Sequence, residues 1–159
     1  MSSDIPNEPK NRLHPIHLPV LEIHNRATIV FLTVCTKGRQ PVLATPKMHR
    51  SLKTAWVSAA HWLVGRYVVM PDHIHLFCAP SLMPPTPLVT WISYWKRLVA
   101  QSMDCQIWQK NFWDTQLRRH ESYAQKWEYV RNNPMRAGLV QKADEWEFQG
   151  EMNVLRWHE

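Results

Sequence analysis

The chain has 159 residues, 45% of them hydrophobic and 20% charged, which suggests one domain of ordinary size with a real core. No run of 18 apolar residues is present, so no membrane span is expected. The net charge of +6 and a pI of about 9.5 point to a polyanionic partner, nucleic acid first.

The first residues, Met1 to Pro6, lack the basic and apolar regions of a secretory signal. Cys35, Cys78 and Cys105 are an odd number, and two lie in apolar runs. They are expected to be reduced residues of a cytoplasmic protein. Residues 1–26 are polar and proline-bearing, with no steady period, and are expected to form a flexible arm. His14, His17 and His24 there are read as solvated.

Ala27 to Thr36 is rich in β-branched residues and predicts a central strand. Lys37 to Pro41 is a turn. Pro46 to Ala60 predicts a helix with Leu52, Trp56 and Ala59 on one side. Gly65 is expected to close the connection to an apolar strand from Tyr67, with Pro71-Asp72 as a tight turn into a second strand. The prolines between Ala79 and Pro87 end that strand. Leu88 to Met103 predicts the second helix, with Val89, Ile92, Trp95, Leu98 and Val99 as its stripe. Gln106 to Leu117 predicts a strand, with a possible turn at Lys110-Asn111. Glu121 to Asn132 predicts a third helix, stopped by Asn133-Pro134, and Ala137-Gly138 is a helix exit. The first six elements match a ferredoxin-like β-α-β-β-α-β unit, an α+β antiparallel sheet with an additional C-terminal helix.

His73 and His75 open the second hairpin strand. Residues two apart in a strand share a face, so the two imidazoles project side by side and could bind a metal. Two half-exposed polar residues on an amphipathic strand would show the same pattern. In the third helix, Tyr129 and Asn133 are four apart and are expected to stack on one face. By periodicity alone the reading that wins is a core tyrosine with a helix-ending Asn-Pro.

Taken together, Met70-Pro71-Asp72-His73-Ile74-His75-Leu76, then Tyr129, Asn133-Pro134 and Arg136-Ala137-Gly138-Leu139-Val140, resemble the REP-associated tyrosine transposases. These are part of the HUH (His-hydrophobic-His) single-strand, IS200-like transposase superfamily. The resemblance runs from about Ala27 to Val140, which implies a 27–140 transposase domain between the 1–26 arm and a 141–159 tail. It implies that His73, His75 and Asn133 bind Mg²⁺ or Mn²⁺ and that Tyr129 is the nucleophile. Asp72, where many members carry Asn, is read as a turn residue.

The activity implied is metal-dependent cutting and rejoining of single-stranded DNA at REP-type hairpins through a 5′-phosphotyrosine. A free tyrosine is only about one part in a thousand phenolate at pH 7, so it needs such help. Lys96, Arg97, Arg118, Arg119, Arg131 and Arg136 are candidate DNA contacts, and Trp108 or Trp113 a candidate stacking platform. The expected partner is single-stranded or hairpin DNA, bound by a monomer in the cytoplasm, associated with the nucleoid. The rival readings are a dimeric insertion-sequence transposase, a non-catalytic hairpin binder and an RNA-binding ferredoxin-like domain. Glu147 to Glu159 matches no family pattern.

Overall fold

A computed structural model describes residues 28–157. The predicted N-terminal arm and His158 lie outside them. The elements are β1 (Val30–Thr36), α1 (Pro46–Ser58), β2 (Trp62–Val69), β3 (His73–Pro80), α2 (Leu88–Met103), β4 (Trp108–Gln116), α3 (Tyr123–Arg131), α4 (Asn133–Arg136) and β5 (Gln149–Glu151). The strands form one antiparallel sheet in the order β4-β1-β3-β2-β5. The first six elements therefore make the expected ferredoxin-like unit, extended by a fifth edge strand. Among the described residues no helix is long and apolar enough to cross a membrane.

One face of the sheet is covered by α1 and α2. Thr45 caps α1, its Oγ1 accepting from the Met48 amide at 3.1 Å, and Pro46 fills the first turn, where no amide donor is needed. Met48, Leu52, Ala55 and Trp56 then face the sheet. On α2 the buried stripe is Leu88, Trp91, Ile92, Trp95 and Val99. Val89, expected on that stripe, is half-exposed instead, because the helix is turned to bury the larger Trp91. Trp95 is central, with its ring 5.9, 6.1 and 5.5 Å from those of Trp56, Trp91 and Trp108. Such edge-to-face pairs add to the burial energy of the indoles.

β2 begins at Trp62 rather than at Tyr67, so Gly65 lies inside a strand and not in a connection. The reason is packing. A Cβ on Gly65 would meet Leu155 at 2.6 Å and the Tyr123 hydroxyl at 2.8 Å. Only glycine lets the C-terminal segment and α3 approach the strand this closely. β4 carries no turn at Lys110-Asn111; an irregularity in its pairing with β1 absorbs the mismatch there.

The C-terminal segment is part of the core. Phe148 packs into the α1–α2 side and Leu155 into the opposite side, with β5 paired to β2 between them. The Trp146 indole donates to the Val69 carbonyl at 3.0 Å, and the Trp157 indole to the Glu121 carbonyl at 2.7 Å. The opposite face of the sheet, with Ile29, Val68, Met70 and Phe77, is covered by Tyr123, Trp127 and Val130 of α3.

Candidate active site

The two histidines lie on this second face. β3 pairs with β1 so that His75 is opposite Thr33, and Phe77 opposite Phe31. Both imidazoles are 1% exposed, with ring centroids 4.7 Å apart. Phe31 stacks on His75 at 5.3 Å. His73 Nδ1 is 2.8 Å from Asp72 Oδ1, and His75 Nδ1 is 2.9 Å from Thr33 Oγ1. With Nδ1–H donating in each ring, Nε2 keeps its lone pair. Both Nε2 atoms are buried and have no hydrogen-bond partner among the described residues.

Asp72 is more than a turn residue. Arg39 reaches it from the segment after β1, Nε at 3.0 Å and Nη2 at 2.9 Å from Oδ2. That approach depends on Gly38 and Arg39 both having positive φ, 64° and 56°. Glycine adopts this freely, whereas at Arg39 it is a strained conformation, held by the pair with Asp72. Thr36 fixes the turn from behind, its amide donating to the Asp72 carbonyl at 3.0 Å. Burial raises the Asp72 pKa, but its contacts with His73 and Arg39 outweigh this and hold the carboxyl below its ordinary value. Burial, with the charges of His73, Arg136 and Arg39, pushes His75 well below its ordinary value, so it is neutral at pH 7.

α3 and α4 approach from above. Ala137 and Leu139, just after α4, line a cleft of about 330 Å³ with Arg39, Met70, Asp72 and His73. Tyr129 and Asn133 do not lie on one continuous helix. α3 ends at Arg131, and Asn133 starts the short α4, because Pro134 has no amide to continue the ladder. Tyr129 is 61% exposed while Asn133 is 1% exposed. Arg136 joins them. Its Nη2 donates to Asn133 Oδ1 at 3.0 Å, and its guanidinium lies 4.1 Å from the Tyr129 ring centroid.

Of the six basic residues read as DNA contacts, Arg136 is the one placed at this site. Lys96 is half-buried and donates to the Gln109 carbonyl at 2.8 Å, and burial lowers its pKa. Arg97 stacks over Tyr94 at 5.4 Å, also on α2 behind the sheet. Arg118 and Arg119 are exposed after β4, at the end of the sheet away from His73. Arg131 ion-pairs with Glu128 and Asp144. Trp108 is held by Trp95 and donates to the Lys96 carbonyl, so its role is in the core. Trp113 stands opposite Thr33 on the histidine face, half-buried. Arg39 was not legible as a site residue, since a basic turn residue carries no signal until its carboxylate partner is known.

The residues fit a divalent ion. Two adjacent lone pairs, each held in place by a second hydrogen bond on the same ring, are the arrangement of oriented histidine ligands. No group of three or more His, Cys, Asp or Glu able to hold a metal occurs among the described residues. Asn133, the further donor that the sequence resemblance implies, is buried, with its Oδ1 held by Arg136.

Fold and site together define a ferredoxin-like domain with a histidine pair on its central sheet and a tyrosine-bearing helix covering the same face. No protein-family model matches the chain. In sequence it is 26% identical over 125 residues to the REP-associated tyrosine transposase of Escherichia coli (strain K12), covering 74% of this chain and 73% of that protein. In structure it matches a REP-associated tyrosine transposase bound to a REP hairpin, with TM-score 0.67 and 21% identity over 78% of this chain and 76% of that one. The chain is similar to the REP-associated tyrosine transposases in sequence and shares their fold.

Proposed function

We propose that this protein cuts and rejoins single-stranded DNA at REP-type hairpins, with Tyr129 as the nucleophile. The observation that carries the reading is the pair of buried, partnerless Nε2 atoms on His73 and His75, oriented by Asp72 and Thr33. A merely structural pair of histidines would leave two polar atoms unsatisfied, at about 1–3 kcal/mol each. Mg²⁺ or Mn²⁺, held by His73, His75 and Asn133, would supply charge neutralisation at the scissile phosphate.

The chain's own residues do the rest. Tyr129 is exposed enough to meet a phosphodiester. Its Oη attacks phosphorus and loses its proton to solvent. The bond to the 3′-oxygen breaks and that oxygen takes up a proton from solvent, leaving a 5′-phosphotyrosine and a free 3′-hydroxyl. The reverse attack by a 3′-hydroxyl rejoins the strand, and no nucleotide cofactor is consumed. The Arg136 guanidinium beside the ring offers hydrogen-bond donors to the phosphate. The hairpin preference follows the relative whose structure holds a REP hairpin.

The test is a covalent-adduct assay with end-labelled hairpin DNA and Mn²⁺ or Mg²⁺ on a denaturing gel. The wild type should give a shifted band that is abolished by chelator, by Tyr129→Phe and by His75→Ala. The loss in Tyr129→Phe should be roughly a thousandfold or more. Hairpin binding without any adduct would instead mark a non-catalytic binder.

A further inference from the structure

Asn133 Oδ1 has a cation on it already. A guanidinium can only donate, so the Asn133 atom facing Arg136 Nη2 at 3.0 Å is the amide oxygen. That is the one Asn133 side-chain atom able to bind a metal ion, since the amide nitrogen has no lone pair to offer. The oxygen has two lone pairs, but two positive groups on it repel each other, so a metal ion there weakens the arginine contact. Burial says which side of the contact moves. Asn133 is 1% exposed and enclosed by protein, whereas Arg136 is on the surface, its guanidinium lying against the exposed Tyr129 ring. The arginine can swing out and the amide cannot.

Where the guanidinium would go is set by chemistry. Tyr129 is the group read as attacking phosphorus, so a phosphate must come within reach of its hydroxyl. A guanidinium stacked on that ring is within one side-chain rotation of the phosphate oxygens, and its planar fork of donors suits them.

We infer that Arg136 is a positioning residue that trades Asn133 Oδ1 for a phosphate oxygen when the DNA strand arrives, and so releases the amide oxygen to the metal. This rests on the reading of the site given above. Metal and DNA then bind with positive coupling, each raising the affinity for the other by the same factor. In the free protein the site is held short of a donor, which keeps the metal weakly bound until a strand is present.

The experiment uses the full chain in the Tyr129→Phe background, so that DNA stays uncut while the ring remains. Mn²⁺ affinity is read by the electron paramagnetic resonance signal of free Mn²⁺, with and without a REP-type hairpin oligonucleotide. The hairpin should tighten Mn²⁺ binding about tenfold, within the usual range of coupling between sites. Adding Arg136→Met should give tight Mn²⁺ binding without DNA, cut the hairpin's effect to less than about twofold, and weaken hairpin binding with a salt slope shallower by about 0.7. In an Asn133→Ala background, Arg136→Met should leave Mn²⁺ affinity nearly unchanged, because the oxygen it frees is gone.

Equal tightening by Arg136→Met with and without Asn133 would reduce the effect to charge alone and overturn the exchange. Full coupling retained in Arg136→Met would overturn it too. Arg136→Lys keeps the charge without the fork and covers a failure of Arg136→Met to fold; it should lose part of the coupling, and coupling equal to that of Arg136 would count against the exchange. Mn²⁺ binding without coupling sinks this inference and leaves the site reading standing, whereas no Mn²⁺ binding in any variant, with or without hairpin, sinks both.

Discussion

On the face of the sheet covered by α1 and α2, the buried side chains are almost all apolar, and the polar handles they carry are used for structure. The Trp91 indole donates to the Ala59 carbonyl at 2.7 Å, and that of Trp62 to the Thr86 carbonyl at 2.8 Å. The indole nitrogens of Trp56 and Trp95 lack partners, but these two rings meet edge to face at 78°. On the face covered by α3 and α4, Thr33, His73, His75 and Asn133 are just as buried, and two of the polar atoms left over are lone-pair acceptors set side by side. The larger apolar cluster lies on the α1–α2 side. The two faces differ in what the leftover groups offer: the indole N–H groups, Trp113 on the histidine face included, can only donate, while the two imidazole Nε2 atoms have the chemistry to accept a metal ion.

The sharpest way to separate the faces is to damage one of them. Trp95→Ala removes the centre of the tryptophan cluster and should destabilise the fold by about 3–5 kcal/mol. In the fraction still folded, Mn²⁺ binding and the adduct should persist. Urea unfolding followed by tryptophan fluorescence measures the first and the gel assay the second; a stable Trp95→Ala would mean that face is not the main source of stability.

The histidine face should be the one that fails in acid. His75 has a folded pKa well below 6.5, so the unfolded chain takes up a proton that the folded one refuses. Stability is therefore full above pH 6.5 and falls as the pH drops towards the folded value. Asp72, also lowered, adds a second loss as the pH falls below 3.8. The urea midpoint should decrease between pH 7.5 and 5, and His75→Leu should flatten that segment. A midpoint equally steep in His75→Leu would assign the acid lability to other groups. Adduct formation by the folded protein should persist through that range and decline only as the pH nears the lowered folded value, because protonated imidazole cannot bind a metal.

The smallest expected effect concerns the basic residues. Arg119→Ala should reduce the salt slope of hairpin binding by about 0.7, if a single phosphate is contacted. Lys96→Met should leave the slope unchanged and lower stability instead, since its ammonium is tied to the Gln109 carbonyl behind the sheet. A slope change in Lys96→Met would show that DNA also reaches the α2 side.

The order of elements, the strand that carries the histidines and the helix that carries Tyr129 are legible in the chain because each rests on a local period. An alternation of two places His73 and His75 on one face wherever the strand ends up, and Pro71-Asp72 turns the chain before them. Local periods say nothing about partners from distant segments. Gly65 reads as a loop until Leu155 and Tyr123 are seen to press on it. The C-terminal aromatics have no period, yet Trp146 and Phe148 are pinned to β2. A helix-period reading puts Tyr129 and Asn133 together, while the break before Pro134 exposes one and buries the other. Arg39 on Asp72 and Arg136 on Asn133 are pairs that only the folded chain assembles. The first joins residues 33 positions apart, and the second depends on how α4 is set over the sheet. Which groups bear the chemistry is a matter of residue type and spacing, and which groups hold and release them is decided by tertiary contact.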